Sequence, residues 1–252
     1  MTARISTSTR TTQLAAAQLD TWERDGFLVL DRFLDPDLLA ALRAGYDDIL
    51  LGRVAADGDR MLGGRIRQVM CPSTAHPVFA DNPAVAAGLA IARRVFGTAQ
   101  AHRTFDMLID KPVGHRHETP WHQDAAYGAH PFAAPGSAIH NGTIQFWVAL
   151  DDVDEENGCM QFLPGRHREP LLEHHVVSGR PDGDERLLAV VQPEERLDLS
   201  RRVVATLPAG GCTLHAEGTP HYTGPNVSAG RARRAYIFNV GPVGPHPAGT
   251  GA

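Results

Sequence analysis

The chain has 252 residues, enough for one large domain with a substantial core. Its 42% hydrophobic and 21% charged content is ordinary for a globular protein, and a net charge of −5 gives no sign of a nucleic-acid or polyanion partner. No apolar run reaches the length of a membrane span, and the three cysteines (Cys71, Cys159, Cys212) form no spaced pair, so a reducing, cytoplasmic location is expected.

Residues 1–13 are polar and lack the apolar segment of a secretory signal; they are expected to be a disordered leader. Gln13–Asp25 reads as a short helix with Leu14, Leu19 and Trp22 on one stripe, followed by Gly26 and a buried strand Phe27–Leu30. Asp35-Pro36 is an N-cap with proline at the first helical position, and Leu38, Leu39, Leu42 and Leu50 carry a helix to about Leu51. Ala55–Arg65 is polar and glycine-rich and predicts a mobile loop. Arg65–Met70 predicts a strand from which Gln68 points inward. Asn82-Pro83 opens a helix through Arg94, closed by Gly97, and His76 before it reads as a structural loop residue.

From Ala101 onward the chain changes to short strands. His102–Ile109 alternates as a strand and leads to a turn at Lys111–Gly114. His115, His117 and Glu118 then stand either at a pocket mouth or in a solvated loop. Ile144–Leu150 predicts a buried strand containing Trp147, Asp151–Gly158 an acidic turn, and Cys159–Leu163 another strand. Arg166–Leu197 shows little strand pattern and many charges, as expected of a lid or a disordered insert. His167, His174 and His175 within it read as solvated. Val203–Leu207, Gly211–His215 and Ala235–Val240 are the last strands, and 241–252 reads as a flexible tail. With no repeat and no linker, residues 14–240 are expected to form one mainly β domain with N-terminal helical cover.

The chemistry centres on Thr119–Tyr127 (TPWHQDAAY). On an extended strand His122 and Asp124 share a face, offering a nitrogen and a carboxylate oxygen to one ion. An H-x-D pair alone is weak, since roughly one is expected by chance from this composition. A second histidine on a late strand completes the 2-His-1-carboxylate set of non-haem Fe(II) oxygenases. His221 and His215 both qualify by spacing, which does not choose between them. Arg231, Arg233 and Arg234 lead into the last strand, where a guanidinium can clamp a carboxylate in bidentate fashion or merely solubilise a turn.

Five ordered blocks now become recognisable: H-Q-D-x-x-Y at His122–Tyr127, W-x-A-L-D-D at Trp147–Asp152, E-N-G-C at Glu156–Cys159, L-P-G-x-H at Leu163–His167, and H-x-x-x-x-N with R-R-A from His221 to Ala235. Together they resemble the phytanoyl-CoA dioxygenase family of Fe(II)/2-oxoglutarate-dependent oxygenases. The resemblance implies a double-stranded β-helix (jelly roll, cupin-like) and Fe(II) held by His122, Asp124 and His221. It implies 2-oxoglutarate and O2 as co-substrates, with succinate and CO2 released as a small organic molecule is oxidised. It matches His215 to a non-ligand histidine and Arg233 to the arginine that binds the distal carboxylate of 2-oxoglutarate. The loop after Asn226 is one residue longer than usual, so Arg231 and Arg234 stay open. Met107, Trp147 and Gln68 match positions lining the co-substrate pocket.

Because Asp124 is a carboxylate, hydroxylation is expected over halogenation; the same chemistry also permits epimerisation, desaturation or cyclisation. Phe105, His117, Trp121 and Tyr127 are candidate substrate contacts. The richness in Ala, Arg, Gly and Pro suggests a GC-rich bacterial genome and a secondary-metabolite substrate. A monomer or homodimer without nucleic-acid or membrane partners is expected. The alternatives are an inactive metal-binding jelly roll and a Zn(II) metallohydrolase, neither of which needs an arginine clamp.

Overall fold

A computed structural model of the protein describes residues 14–127, 142–181, 183 and 185–242, so the expected leader at 1–13 and most of the expected tail lie outside the described residues. The elements in chain order are α1 (Ala16–Asp25), β1 (Phe27–Leu30), α2 (Pro36–Leu50), β2 (Asp59–Leu62), β3 (Ile66–Met70), α3 (Pro72–Ala75), α4 (Pro77–Ala80), α5 (Pro83–Phe96) and β4 (His102–Lys111). They continue with β5 (Thr119–His122), β6 (Ile144–Ala149), β7 (Met160–Phe162), β8 (His174–Ser178), β9 (Leu187–Val190), α6 (Pro193–Arg196), β10 (Val203–Ala205), β11 (Cys212–Ala216), β12 (His221–Thr223) and β13 (Arg233–Gly241).

The caps act as the residue types dictate. Asp35 accepts from the Leu38 N–H at 2.8 Å, Asn82 accepts from the Val85 N–H at 3.3 Å, and Gly97 closes α5 in the left-handed region at φ 62°. His76 is structural: its Nδ1 accepts from the Val78 N–H and its Nε2 lies 3.5 Å from Asp48.

The strands form two facing antiparallel sheets. The larger has the order β1-β11-β6-β13-β4-β3-β2 and the smaller β10-β7-β12-β5, with the β8-β9 hairpin as a separate pair. Stacking of Phe27 on Phe162 (4.6 Å between ring centroids) and an apolar cluster of Ile109, Trp147, Ile237, Met160 and Phe162 join the inner faces. This is the double-stranded β-helix, with helical cover on one side. Because side chains alternate along a strand, Phe146, Val148, Tyr236 and Phe238 point the other way, into a core shared with Leu38, Leu42 and Tyr46 of α2 and Ala87 and Ile91 of α5. Helix α5 lies so close on the sheet that a Cβ at Gly88 would sit 2.5 Å from the Phe238 ring.

Four local expectations are corrected. Ala55–Arg65, expected as a loop, contains β2, an edge strand whose backbone pairs with β3. Arg166–Leu197 contains the β8-β9 hairpin; Leu187, Leu188 and Val190 are buried, and their short apolar run was masked by flanking charges. His167 and His174, expected to be solvated, are buried and half-buried, and His174 Nε2 accepts from the Gln123 N–H at 3.1 Å. Lys111, expected in a turn, ends β4 with no exposure; its ammonium donates to Thr223 O, Thr223 Oγ1 and Gly224 O at 2.7–3.2 Å.

Candidate metal centre and co-substrate pocket

β5 ends at His122, Gln123 stays extended (φ −118°, ψ 131°), and Asp124 opens a short 3-10 turn. The strand alternation thus persists just far enough to put Asp124 on the face of His122. β12 pairs with β5 so that His221 stands directly opposite His122, their ring centroids 4.1 Å apart. One ligand atom from each of His122, Asp124 and His221 lies within 4.8 Å of the others.

Each imidazole is oriented by its other nitrogen. His122 Nδ1 meets Pro120 O at 2.7 Å and His221 Nδ1 meets Thr219 O at 2.9 Å. A carbonyl only accepts, so Nδ1 carries the proton and Nε2 presents its lone pair. Both Nε2 atoms lie 3.6 Å from Asp124 Oδ1. The other oxygen, Oδ2, accepts from Gln145 Nε2 at 2.6 Å and stands 3.3 Å from His215 Nε2. Burial alone would raise the Asp124 carboxyl, but His221, His122 and His215 hold it well below the usual carboxylate range. Burial, then His122, pushes His221 well below the usual imidazole value. A carboxylate with neutral imidazoles is the donor set a divalent transition metal requires.

The three residues open onto a cavity of about 720 Å³ between the sheets. Gln68, Phe105, Met107, Tyr127, Trp147 and Arg233 all line it. His117 and Trp121 do not. His117 is exposed on the loop before β5, edge-on to His115. Trp121 precedes the inward-facing His122 on β5, so alternation turns it to the opposite side, where it stacks on Tyr222 at 5.5 Å and packs with Leu163, Val190 and Leu197.

The three arginines separate cleanly. Arg231 bonds Asp154 and Glu156, and Arg234 bonds Asp151 and Asp47. Arg233 lines the cavity with no exposure; its Nε, Nη1 and Nη2 find no hydrogen-bond partner among the described residues, and its guanidinium sits 5.5 Å from the Trp147 ring centre. Burial pushes it down to about 10, which leaves it charged at neutral pH. An unpaired buried cation is expensive, so the site fits an anion supplied from outside the chain.

Gln145 was missed by sequence reasoning, although a legible signal existed. A lone amide in an apolar strand, two residues from Trp147, shares the inward face. Arg60, Arg186 and Glu217 also line the cavity unforeseen, because their segments carried no pattern tying them to the centre.

The model of the family described as phytanoyl-CoA dioxygenase (PhyH) matches residues 22–235. The chain belongs to the phytanoyl-CoA dioxygenase family. The chain is 32% identical over 115 residues to a probable alpha-ketoglutarate-dependent hypophosphite dioxygenase of Stutzerimonas stutzeri, over 45% of this chain and 36% of that protein. It is 30% identical over 134 residues to the phytanoyl-CoA dioxygenase domain-containing protein 1 of Danio rerio, over 53% of this chain and 43% of the relative. The matches thus span less than half the length of these curated relatives. Among solved structures, EvdO2 from Micromonospora carbonacea var. aurantiaca, crystallised with 2-oxoglutarate, superposes with a TM-score of 0.75 at 27% identity, covering 95% of this chain and 98% of that one. No helix among the described residues is long and apolar enough to cross a membrane.

Proposed function

We propose that this member of the phytanoyl-CoA dioxygenase family is a non-haem Fe(II)/2-oxoglutarate-dependent dioxygenase that hydroxylates a small organic molecule, releasing succinate and CO2. The observation that carries the reading is Arg233, a fully buried guanidinium whose three nitrogens find no hydrogen-bond partner among the described residues, on the same cavity as His122, Asp124 and His221. Activation of water by a hydrolytic metal needs no such clamp.

His122, Asp124 and His221 would hold the metal, and Gln145, by fixing Asp124 Oδ2, leaves Oδ1 for it. Bound Fe(II) supplies the O2-reducing chemistry that couples oxidative decarboxylation of 2-oxoglutarate to removal of a substrate hydrogen. Arg233 would pair the distal carboxylate of 2-oxoglutarate, with Trp147 against the guanidinium and Met107 and Gln68 lining the same cavity. Ile109, Met160 and Ile237 line the cavity with hydrocarbon, which limits water around the reacting groups. Phe105 and Tyr127 line the same cavity and are the candidate substrate contacts, Tyr127 edge-on to His122 at 5.7 Å.

Anaerobic addition of Fe(II) and 2-oxoglutarate to the apoprotein tests this. A weak visible charge-transfer band is expected, present in Arg234→Gln and shifted to far higher 2-oxoglutarate concentration in Arg233→Gln. Folded protein that binds iron yet gives no band at any concentration overturns the oxygenase reading. His215→Ala is expected to retain iron; loss of iron there would move the ligand set.

A further inference from the structure

The inner face of the large sheet carries a row of polar side chains at the level of the metal centre. Strand register sets His215 of β11 beside Gln145 of β6, and Gln145 beside Asn239 of β13. Phe105 of β4 follows next in the row. Gln145, Asn239 and Phe105 all line the cavity, and Gln145 Nε2 donates to Asp124 Oδ2 at 2.6 Å, which fixes the row against the metal ligands. Arg233 and Asn239 lie toward opposite ends of β13, roughly 20 Å apart at about 3.4 Å per residue. The row therefore stands at the metal end of the cavity, away from the arginine clamp.

Two amide groups in this row are left open. The Asn239 Oδ1 is buried without a hydrogen-bond partner among the described residues. Strand pairing slips beside it: Asn239 faces Phe105 and Val240 faces Arg103, which leaves Thr104 as the extra residue of a bulge in β4. Thr104 Oγ1 donates to the Asn239 carbonyl at 3.4 Å, so the bulge engages the backbone of Asn239 and not its amide side chain. Bulges beside functional sites commonly re-aim a side chain in this way. Gln145 supplies the second group. A carboxylate only accepts, so the bond to Asp124 commits Nε2 and leaves Oε1 as an acceptor with no donor among the described residues. A buried amide without partners is costly, and its position on the cavity fits a partner that arrives with the substrate.

We propose that Asn239 and Gln145 Oε1 receive a neutral hydroxyl of the organic substrate and set specificity for it, close to the carbon that loses hydrogen. Gln145 Oε1 requires a donor, and the Asn239 amide offers both hydrogens and an oxygen. A hydroxyl donates and accepts, so it satisfies both residues at once. A carboxylate, an ether and a ketone have no hydrogen for Oε1. An ammonium has no lone pair for Asn239 Nδ2 and would stand beside a divalent metal. The inference rests on the oxygenase reading above and narrows its substrate to an alcohol, with Phe105 against the neighbouring hydrocarbon.

Ligand-observed NMR titration of anaerobic protein loaded with Fe(II) and 2-oxoglutarate tests the assignment. The probes are benzyl alcohol, benzyl methyl ether, benzylamine and ethylbenzene. The alcohol is expected to bind about five-fold or more tightly than the ether or the amine, the weight of one hydrogen bond. Asn239→Leu is expected to weaken the alcohol about five-fold and to leave ethylbenzene as tight as in wild type or tighter; Asn239→Thr, which keeps a hydroxyl, should recover part of the loss. Because the Asn239 Oδ1 bonds nothing among the described residues, both variants should fold. No binding of the alcohol, equal or tighter binding of the ether or amine, or an Asn239→Leu variant that keeps the alcohol or loses ethylbenzene equally overturns the proposal. The visible 2-oxoglutarate band in the same samples reports the oxygenase reading separately. If the wild type gives no band, that reading fails, and the same titration on metal-free protein still decides whether Asn239 receives a hydroxyl.

Discussion

Arg233 and Arg234 are neighbours on β13 and face opposite sides of one sheet, with opposite consequences. Arg234 points toward the helices, where its Nε and Nη2 donate to Asp151 and its Nη1 to Asp47. Arg233 points into the cavity and bonds nothing among the described residues. The contrast extends across the sheet. Its helix side is an apolar core around Phe146, Tyr236 and Phe238, whereas its inner side carries Gln145, His215, Asn239 and Lys111. Tyr46 on the helix side also buries a hydroxyl without a hydrogen-bond partner among the described residues, but a neutral hydroxyl on a large ring costs far less than an unpaired charge. One face is built for stability. The other keeps polar groups unsatisfied, as a binding site does.

The strongest way to break this comparison is to remove the inner face's centre. Asp124→Ala is expected to lose stoichiometric iron and reduce 2-oxoglutarate-dependent succinate formation to background while the far-ultraviolet spectrum stays native. Retained iron would show that the cluster is not the metal site. Arg233→Met is expected to raise the 2-oxoglutarate requirement by about 100-fold, equivalent to about 3 kcal/mol at 1.4 kcal/mol per decade. The same variant should melt no lower than wild type without ligand, because it deletes an uncompensated buried charge. A lower melting point would mean that Arg233 is a structural residue. Gln145→Leu frees Asp124 Oδ2 and is expected to weaken metal affinity about 10- to 100-fold, read by competition with a chelator.

Arg234→Met supplies the converse. It should cost about 1–3 kcal/mol of stability in chemical denaturation, from lost charged hydrogen bonds, and leave the 2-oxoglutarate requirement within about two-fold of wild type. The smallest effect concerns His115, which burial and then Lys111 push down to about 4. Its unfolded value is about 6.5, so its contribution is fully present above that pH and is lost as pH falls through about 4. Between those values wild-type melting should fall more steeply than that of His115→Gln; parallel curves would show that the histidine is solvated.

Much of this was legible in the sequence because it is encoded over a few residues. Asp35-Pro36 and Asn82-Pro83 announced their helices, alternation found β4, short apolar runs found β6 and β13, and the His122-x-Asp124 spacing put two donors on one face. The same alternation, applied strictly, would have turned Trp121 away from the cavity. β2 and the β8-β9 hairpin were not legible, since each is held by pairing with its partner strand more than by its own pattern.

By itself, then, the sequence determined the residue types of the site, their local spacing and the alternation that assigns each to a face. Only the tertiary structure decided which histidine meets Asp124 Oδ1, which arginine stays unpaired, and that Lys111 is buried. His122 faces His221 because β5 pairs with β12, and Arg233 faces Lys111 because β13 pairs with β4. Those registers join residues about a hundred positions apart, and strand pairing over such separations depends on the whole packed sheet, not on any local run of residues.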